Sequence, residues 1–158
     1  GALTVGKLVR LQFHACFAGC HAYLEPVADN NGILPSHIPT LTSLYDSTYA
    51  SVMSRADFIA AAGNMALVKA QDNAAREEGS QRNPLPVNEL EVVFSFGRTD
   101  RESLAREGLA LPGGHFDLAQ MRTFFSEAFG FNDNDIVTLM GAHTLGRARV
   151  VNSGFDGP

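Results

Sequence analysis

The segment DIVTLMGAHTLGRAR, from Asp135 to Arg149, most constrains what this chain can fold into. Four of its residues recur at i, i+3, i+4 and i+7, which is one face of a helix: Ile136, Leu139, Met140 and His143. We therefore expect a helix that presents one imidazole to an apolar interior. Such a histidine is more often a hydrogen-bonded core residue than a ligand, so the segment alone leaves both interpretations open.

A second segment, VGKLVRLQFHACFA at residues 5–18, also has the pattern of a helix. One stripe of this helix carries a cation, an imidazole and two aromatic rings: Arg10, Phe13, His14 and Phe17. A guanidinium beside an imidazole in an aromatic wall requires a polar occupant, because an unpaired charge is costly in apolar surroundings. The alternative is a solvated helix face, and the two phenylalanines count against it.

Composition limits the class of protein and the partners. The 158 residues suffice for one domain with one sizeable core, and 45% apolar with 18% charged residues is typical of a globular protein. The net charge of −5 argues against nucleic acid or an anionic membrane as a partner. No apolar run approaches the roughly 20 residues of a membrane span.

The remaining segments predict a mainly α domain. Helices are expected at residues 35–52, 54–70 and 117–129, in addition to the two helices above. Gly130 is expected to end the third of these, and Asn132 to cap the helix that carries His143. Residues 71–91 predict a surface excursion, and Val92 to Phe96 a short strand. Five helices with at most one or two short strands define the fold class.

Two cysteines four positions apart allow several interpretations. Cys16 and Cys20 could form a small disulfide loop, half of a metal site or two buried thiols. With His14 and His21 they offer four zinc-type ligands within eight residues. A His/Cys zinc-binding module is therefore an alternative, although helical spacing would scatter these side chains and His143 would have no role.

Two histidines on two inward-facing helices suit a haem. Gly141, Ala142 and Gly146 surround His143 with small side chains, which would let a large flat group approach that helix. Haem needs one imidazole bound to its iron and an open, polar opposite side. His14 and Arg10 would supply that polar side.

Four segments, taken in order, carry a resemblance to a known family. They are RLQFHACF at 10–17, SRADFIAAAGNMAL at 54–67, IVTLMGAHTLGRA at 136–148 and NSGFDGP at 152–158. They resemble the distal helix, the intervening A-D helix, the proximal helix and the stretch after it in the plant, fungal and bacterial haem peroxidase superfamily. The last segment is similar to the ascorbate and cytochrome c peroxidase branch. The resemblance implies a helical domain with haem between a distal helix at about 5–18 and a proximal helix at about 133–149.

The resemblance also implies roles for single residues. His143 would be the axial ligand of the haem iron. His14 would be the distal base, moving a proton between the two oxygens of hydrogen peroxide. Arg10 would stabilise the negative charge that develops as the O–O bond breaks. Asn30 would accept a hydrogen bond from the other nitrogen of His14 and keep that imidazole basic.

Three further residues would contact the cofactor. By the same resemblance, Phe13 would form a wall of the haem cavity, where the cytochrome c branch usually has Trp. Arg147 and Arg149 would lie near the haem propionates. Their alternative role is an exposed helix end whose basic residues suit the helix dipole.

The resemblance further implies haem b and limits the other ions. Thr144 could begin a proximal calcium or potassium site, whereas Ala15 and His21 replace family aspartates, so no distal calcium is expected. Family analogy and loop length favour a Cys16–Cys20 disulfide, and a disulfide favours a secreted protein.

The sequence therefore predicts a haem peroxidase that reduces hydrogen peroxide and oxidises a small aromatic donor or a redox partner. A haem-binding relative with little or no turnover is the alternative, and the Arg10, Phe13 and His14 trio favours turnover. The family's domain runs to about twice this length. Residues 1–158 are thus expected to be a portion of a single domain, completed by a companion chain or a further segment that carries a carboxylate partner for His143.

Overall fold

The structure is a computed structural model that describes residues 5–17, 19–22, 38–76, 92–101, 112–113 and 115–145. These ranges form five α-helices: α1 (Val5–Cys16), α2 (Ile38–Leu44), α3 (Arg55–Arg76), α4 (Leu118–Phe129) and α5 (Asp133–Met140). The described ranges contain no β-strand, so the expected mainly α fold is confirmed. None of their helices combines the length and the apolar character needed to cross a bilayer.

Three helices continue beyond regular α geometry or beyond their expected ends. A π-helical turn, Tyr45–Tyr49, follows α2, and a 3₁₀ turn, Gly141–Thr144, follows α5. The helix expected to end near Ala70 continues to Arg76. This extension contains no Gly or Pro, and its Gln, Ala and Arg residues have high helix propensity.

The core lies where α1 packs against α3. Leu11 and Ala15 share one stripe of α1, and both are buried. They form a cluster with residues of the following loop, α2, the π turn and α3: Ala22, Leu41, Tyr45, Ala56, Phe58 and Ile59. Burial of this apolar surface fixes α1 beside α3.

The expected start and end of α4 and the expected start of α5 are confirmed, whereas α5 ends at Met140 and not near Arg149 as expected. Asp117 and Gln120 form a capping box at the start of α4, and Gly130 ends that helix with a left-handed φ of 68°. Asn132 and Asp135 form a second capping box at the start of α5. The two helices are therefore joined by a short, well-specified turn.

Asp57, in the first turn of α3, holds the segment 92–101. Its buried carboxylate accepts hydrogen bonds from the backbone N–H of Gly97 at 2.8 Å and of Arg98 at 3.3 Å. The Arg98 guanidinium adds a hydrogen-bonded ion pair at 2.8 Å. Ser54 accepts from the Asp57 N–H at 3.0 Å and so caps α3, while the Asp57 carboxylate binds a different segment.

The strand expected from Val92 to Phe96 does not form. Residues 92–101 have no regular secondary structure. A second carboxylate, Asp100, accepts from the backbone N–H of Arg55 at 3.0 Å and of Ala56 at 2.8 Å. The segment is therefore anchored by side chains to the start of α3, and the described residues offer it no partner strand.

Asp57 should make stability depend on acid pH. Burial raises the pKa of this carboxyl, but the hydrogen bonds from Gly97 and Arg98 outweigh burial, so the pKa lies below its ordinary value of 3.8. A lowered native pKa stabilises the fold above pH 3.8, and this contribution is lost as pH falls through the native pKa. We expect Asp57→Asn to lower the free energy of unfolding at pH 7 by about 2–3 kcal/mol and to flatten its acid dependence.

Urea unfolding between pH 3 and 7 measures this effect. Asp46→Asn is the control, because Asp46 is exposed and its ion pair with Arg55 is long, at 3.9 Å. A mutant Asp57→Asn with the wild-type pH profile would contradict the assignment.

Candidate functional site

α1 brings three of the predicted site residues together. Arg10, Phe13 and His14 are all half-buried in this helix. The rings of Phe13 and His14 meet edge to face, with centroids 5.8 Å apart and an interplanar angle of 90°. The predicted cation, wall and base therefore lie about one turn apart on one helix.

An aromatic wall joins α1 to α4. Phe17 lies 5.5 Å from Phe13, centroid to centroid. It stacks on Phe124 at 6.2 Å with nearly parallel planes, and it meets Phe129 at 5.5 Å. Phe13 and Phe17 are half-buried, so this stripe of α1 is a packed surface and not a solvated helix face.

The orientation of His143 differs from the expectation. Ile136 is buried as predicted, but α5 ends at Met140, and His143 is exposed on the 3₁₀ turn Gly141–Thr144. A 3₁₀ helix advances about 120° per residue against about 100° in an α-helix. Three residues at the tighter pitch rotate His143 by roughly 60° away from the α-helical stripe. The prediction that His143 faces an apolar interior is therefore wrong.

The His143 imidazole is set up to bind through Nε2. Its Nδ1 lies 3.2 Å from the Met140 carbonyl oxygen. A carbonyl only accepts, so this contact is a hydrogen bond in the neutral tautomer whose hydrogen is on Nδ1, and that tautomer has its lone pair on Nε2. A Cβ added at Gly141 would meet nothing within 4 Å, so the backbone beside His143 is open. This donor set fits an axial haem ligand, whose second nitrogen usually donates to a carbonyl or a carboxylate.

The two histidine-bearing elements are neighbours. Gly141–Thr144 lies beside α1, with Cα atoms of the two elements within 8 Å of each other. Cα atoms this close leave no room for a porphyrin directly between them. In this pair of elements, His143 is the residue that would hold a haem iron.

Four further predicted residues lie at or beyond the edges of the described ranges. Asn30, Arg147 and Arg149 lie outside the described residues, as does the end of the expected proximal helix at 146–149. Thr144 is described: its hydroxyl donates to the Gly141 carbonyl at 2.7 Å and keeps oxygen lone pairs for a cation. The roles of all four remain predictions.

A zinc module at the end of α1 does not fit the structure. Cys16 and Cys20 form a disulfide, as family analogy favoured, and a bridged sulfur is not a thiolate ligand. His21 is buried, and its pKa is lowered by burial and by the positive charge of Arg101. Among the described residues, no group of three or more His, Cys, Asp or Glu is placed to hold a metal ion.

A shallow surface cavity of about 770 Å³ lies along α2 and the π turn. Its lining includes Ile38, Thr42 and Asp46 and none of the predicted site residues. It therefore contributes nothing to the predicted site.

Comparison with known proteins agrees with the motif order. The model of the family described as peroxidase matches residues 2–155. A mitochondrial cytochrome c peroxidase of Candida glabrata is 43% identical over 68 residues, which are 42% of this chain and 19% of that protein. L-ascorbate peroxidase 3 of Arabidopsis thaliana is 44% identical over 68 residues, 43% of this chain and 23% of that protein.

A cytosolic L-ascorbate peroxidase 1 of Oryza sativa subsp. indica is 42% identical over 67 residues, which are 42% of this chain and 26% of that protein. The matched part thus spans about a fifth to a quarter of these relatives. No solved structure matches the chain.

Proposed function

Because the chain belongs to the peroxidase family, we propose that it binds haem through His143 and reduces hydrogen peroxide. The observation that supports this most is the half-buried trio of Arg10, Phe13 and His14 on α1, beside the turn that carries His143. A structural domain has no need of a guanidinium and an imidazole one turn apart in an aromatic wall.

His143 anchors the cofactor in this proposal. When bound, haem supplies the redox chemistry of its iron, which accepts and returns electrons. The hydrogen bond from Nδ1 to the Met140 carbonyl fixes the tautomer and the ring orientation, so Nε2 is the nitrogen that binds.

Arg10 and His14 act on the peroxide. The His14 imidazole takes the proton from the near oxygen of hydrogen peroxide and delivers it to the far oxygen, which leaves as water. The Arg10 guanidinium stabilises the negative charge that develops while the O–O bond breaks. Phe13 and the aromatic wall behind it exclude bulk water, which strengthens both electrostatic effects.

The finer assignments belong to the same proposal. Asn30 hydrogen-bonds His14, Arg147 and Arg149 pair with the haem propionates, and Thr144 contributes to a calcium or potassium site. The electron donor is a small aromatic molecule or a redox partner. The basis for these assignments is the match of motifs along the sequence.

A further segment or companion chain is proposed to complete the site. His143, on the turn after α5, is exposed. Two large apolar side chains of α4 and α5 are also exposed: Leu118 on α4 is 65% exposed and Val137 on α5 is 71% exposed. Intact mass spectrometry under denaturing conditions tests this idea. A single covalent species that matches only these residues would count against a further covalently attached segment.

We propose an oxidising, secreted location. The Cys16–Cys20 disulfide supports it, since such bonds persist mainly outside reducing compartments. The names of the relatives place those proteins in mitochondria or the cytosol. Alkylation of the freshly isolated protein before reduction should leave both cysteines unlabelled, and full labelling would contradict the proposal.

A pyridine haemochrome assay followed by stopped-flow mixing with peroxide tests the function. We expect one haem per chain and a rapid shift of the Soret band after one equivalent of peroxide. Haem without a peroxide response would support a non-catalytic haem-binding relative. Failure to retain haem would contradict the proposal.

A further inference from the structure

Gln12 joins α1 to α3 through its side-chain amide. Its Nε2 donates to the Ala60 carbonyl at 3.1 Å and to the Asn64 Oδ1 at 2.9 Å. The two acceptors lie one turn apart on α3, so the amide bonds to two points along the axis of that helix.

Gly63 makes room for this contact. A Cβ added there would lie 2.1 Å from the Gln12 Oε1 and 2.6 Å from the Gln12 Cβ. The second clash involves the base of the side chain, so rotation of the amide alone could not relieve it. Glycine at this position therefore lets Gln12 lie flat against α3.

Gln12 lies opposite the predicted reactive pair on α1. Each residue of an α-helix advances about 100°, so a residue two positions away lies about 200° around the axis. Arg10 and His14 are each two positions from Gln12. They therefore share the side of α1 that faces away from the amide contact.

The hydrogen bonds of Gln12 can fix the rotation of α1 about its own axis, which apolar packing alone does not determine. Leu11 and Ala15 bury apolar surface against α3, and that attraction has no preferred direction. The two bonds of Gln12 require particular distances and angles. A small rotation of α1 would keep most of the apolar burial but break these bonds.

We infer that Gln12 is a positioning residue: its amide, held by Ala60 and Asn64 over Gly63, sets the rotation of α1 and thereby aims Arg10 and His14. The effect on peroxide chemistry rests on the proposed function. The effect on the direction of His14 does not, since it follows from packing alone.

NMR of the His14 imidazole in the full chain tests the positioning directly. Gln12→Leu replaces the amide by an apolar side chain of similar bulk and removes both hydrogen bonds, so we expect the His14 C–H resonances and their pH titration to shift. Asn64→Ala removes one acceptor and should move them less. The double variant should match Gln12→Leu, because both changes act through one contact.

Lys69→Ala is the matched control, since Lys69 is an exposed residue of α3, and it should leave His14 unchanged. Unmoved His14 resonances in both Gln12→Leu and Asn64→Ala would overturn the inference. If Gln12→Leu does not fold, Asn64→Ala decides alone.

A second readout connects the contact to the chemistry. In haem-loaded protein, Gln12→Leu should slow the bimolecular reaction with peroxide by about 10- to 100-fold, because small misplacements of catalytic groups are costly. Haem retention through His143 and the later rate of donor oxidation should be unchanged. If the His14 resonances shift in Gln12→Leu but the wild-type protein does not react with peroxide, the proposed function fails and the positioning role stands. If the His14 resonances shift but Gln12→Leu reacts with peroxide as fast as an active wild type, the link between this contact and catalysis is overturned.

Discussion

His143→Ala is expected to lower the affinity of the protein for haem by more than about 100-fold. Loss of an outer hydrogen-bond partner of a metal ligand already costs about 10- to 100-fold, and loss of the ligand itself should cost more. Titration with hemin, followed at the Soret band, measures the effect. His115→Ala is the matched control, because His115 is also exposed and its ring contacts only a neighbouring Phe116 in the ring pairs described.

The exposure of His143 allows a rescue experiment. The imidazole lies at the surface, and the backbone at Gly141 has open space beside it. Free imidazole should therefore enter the gap left by His143→Ala and restore the Soret band at millimolar concentration. A Soret band that is the same in wild type and His143→Ala would remove His143 from the site.

His14→Leu is expected to slow the reaction with peroxide by about 10²- to 10⁴-fold, which is the usual contribution of a general base. Leucine keeps an apolar volume beside Phe13 and removes the group that accepts the proton. Because each tenfold corresponds to about 1.36 kcal/mol of activation free energy, the expected loss is about 3–5 kcal/mol. Stopped-flow measurement of the Soret shift at several peroxide concentrations gives the rate.

The haem content provides the internal control for this variant. His14 is not the proposed iron ligand, so His14→Leu should retain haem as well as wild type does. His115→Leu should react with peroxide at the wild-type rate. A His14→Leu variant that retains haem and keeps the full peroxide rate would exclude His14 as the base.

Helices with local signals were predictable from the sequence. α4 begins at a capping box made by Asp117 and ends at Gly130, and both signals lie within the helix or beside it. The start of α5 could be predicted in the same way from its capping residue, Asn132. The trio on α1 was also predicted, because helical periodicity places Arg10 and His14 on one stripe.

The rest depended on interactions that periodicity does not encode. The orientation of His143 differs from the expected one because the chain tightens into a 3₁₀ turn after Met140. Val92 to Phe96 has strand-like composition, but two carboxylates fix its segment. Asp57, about 40 residues earlier, binds the backbone of Gly97, and Asp100, within the segment, binds the backbone of Ala56. The hydrogen bonds of Gln12 could not be predicted for the same reason, because their acceptors lie 48 and 52 residues away in the sequence.

We propose that His14 and His143 serve one haem. NMR of the cyanide complex of the ferric, haem-loaded protein, with isotope-labelled histidine, tests it most directly, since the unpaired electron of the iron shifts nuclei close to it. We expect strongly shifted ring signals from both His14 and His143, and unshifted signals from exposed His115. Strong shifts from only one of the two histidines, or from neither, would contradict it.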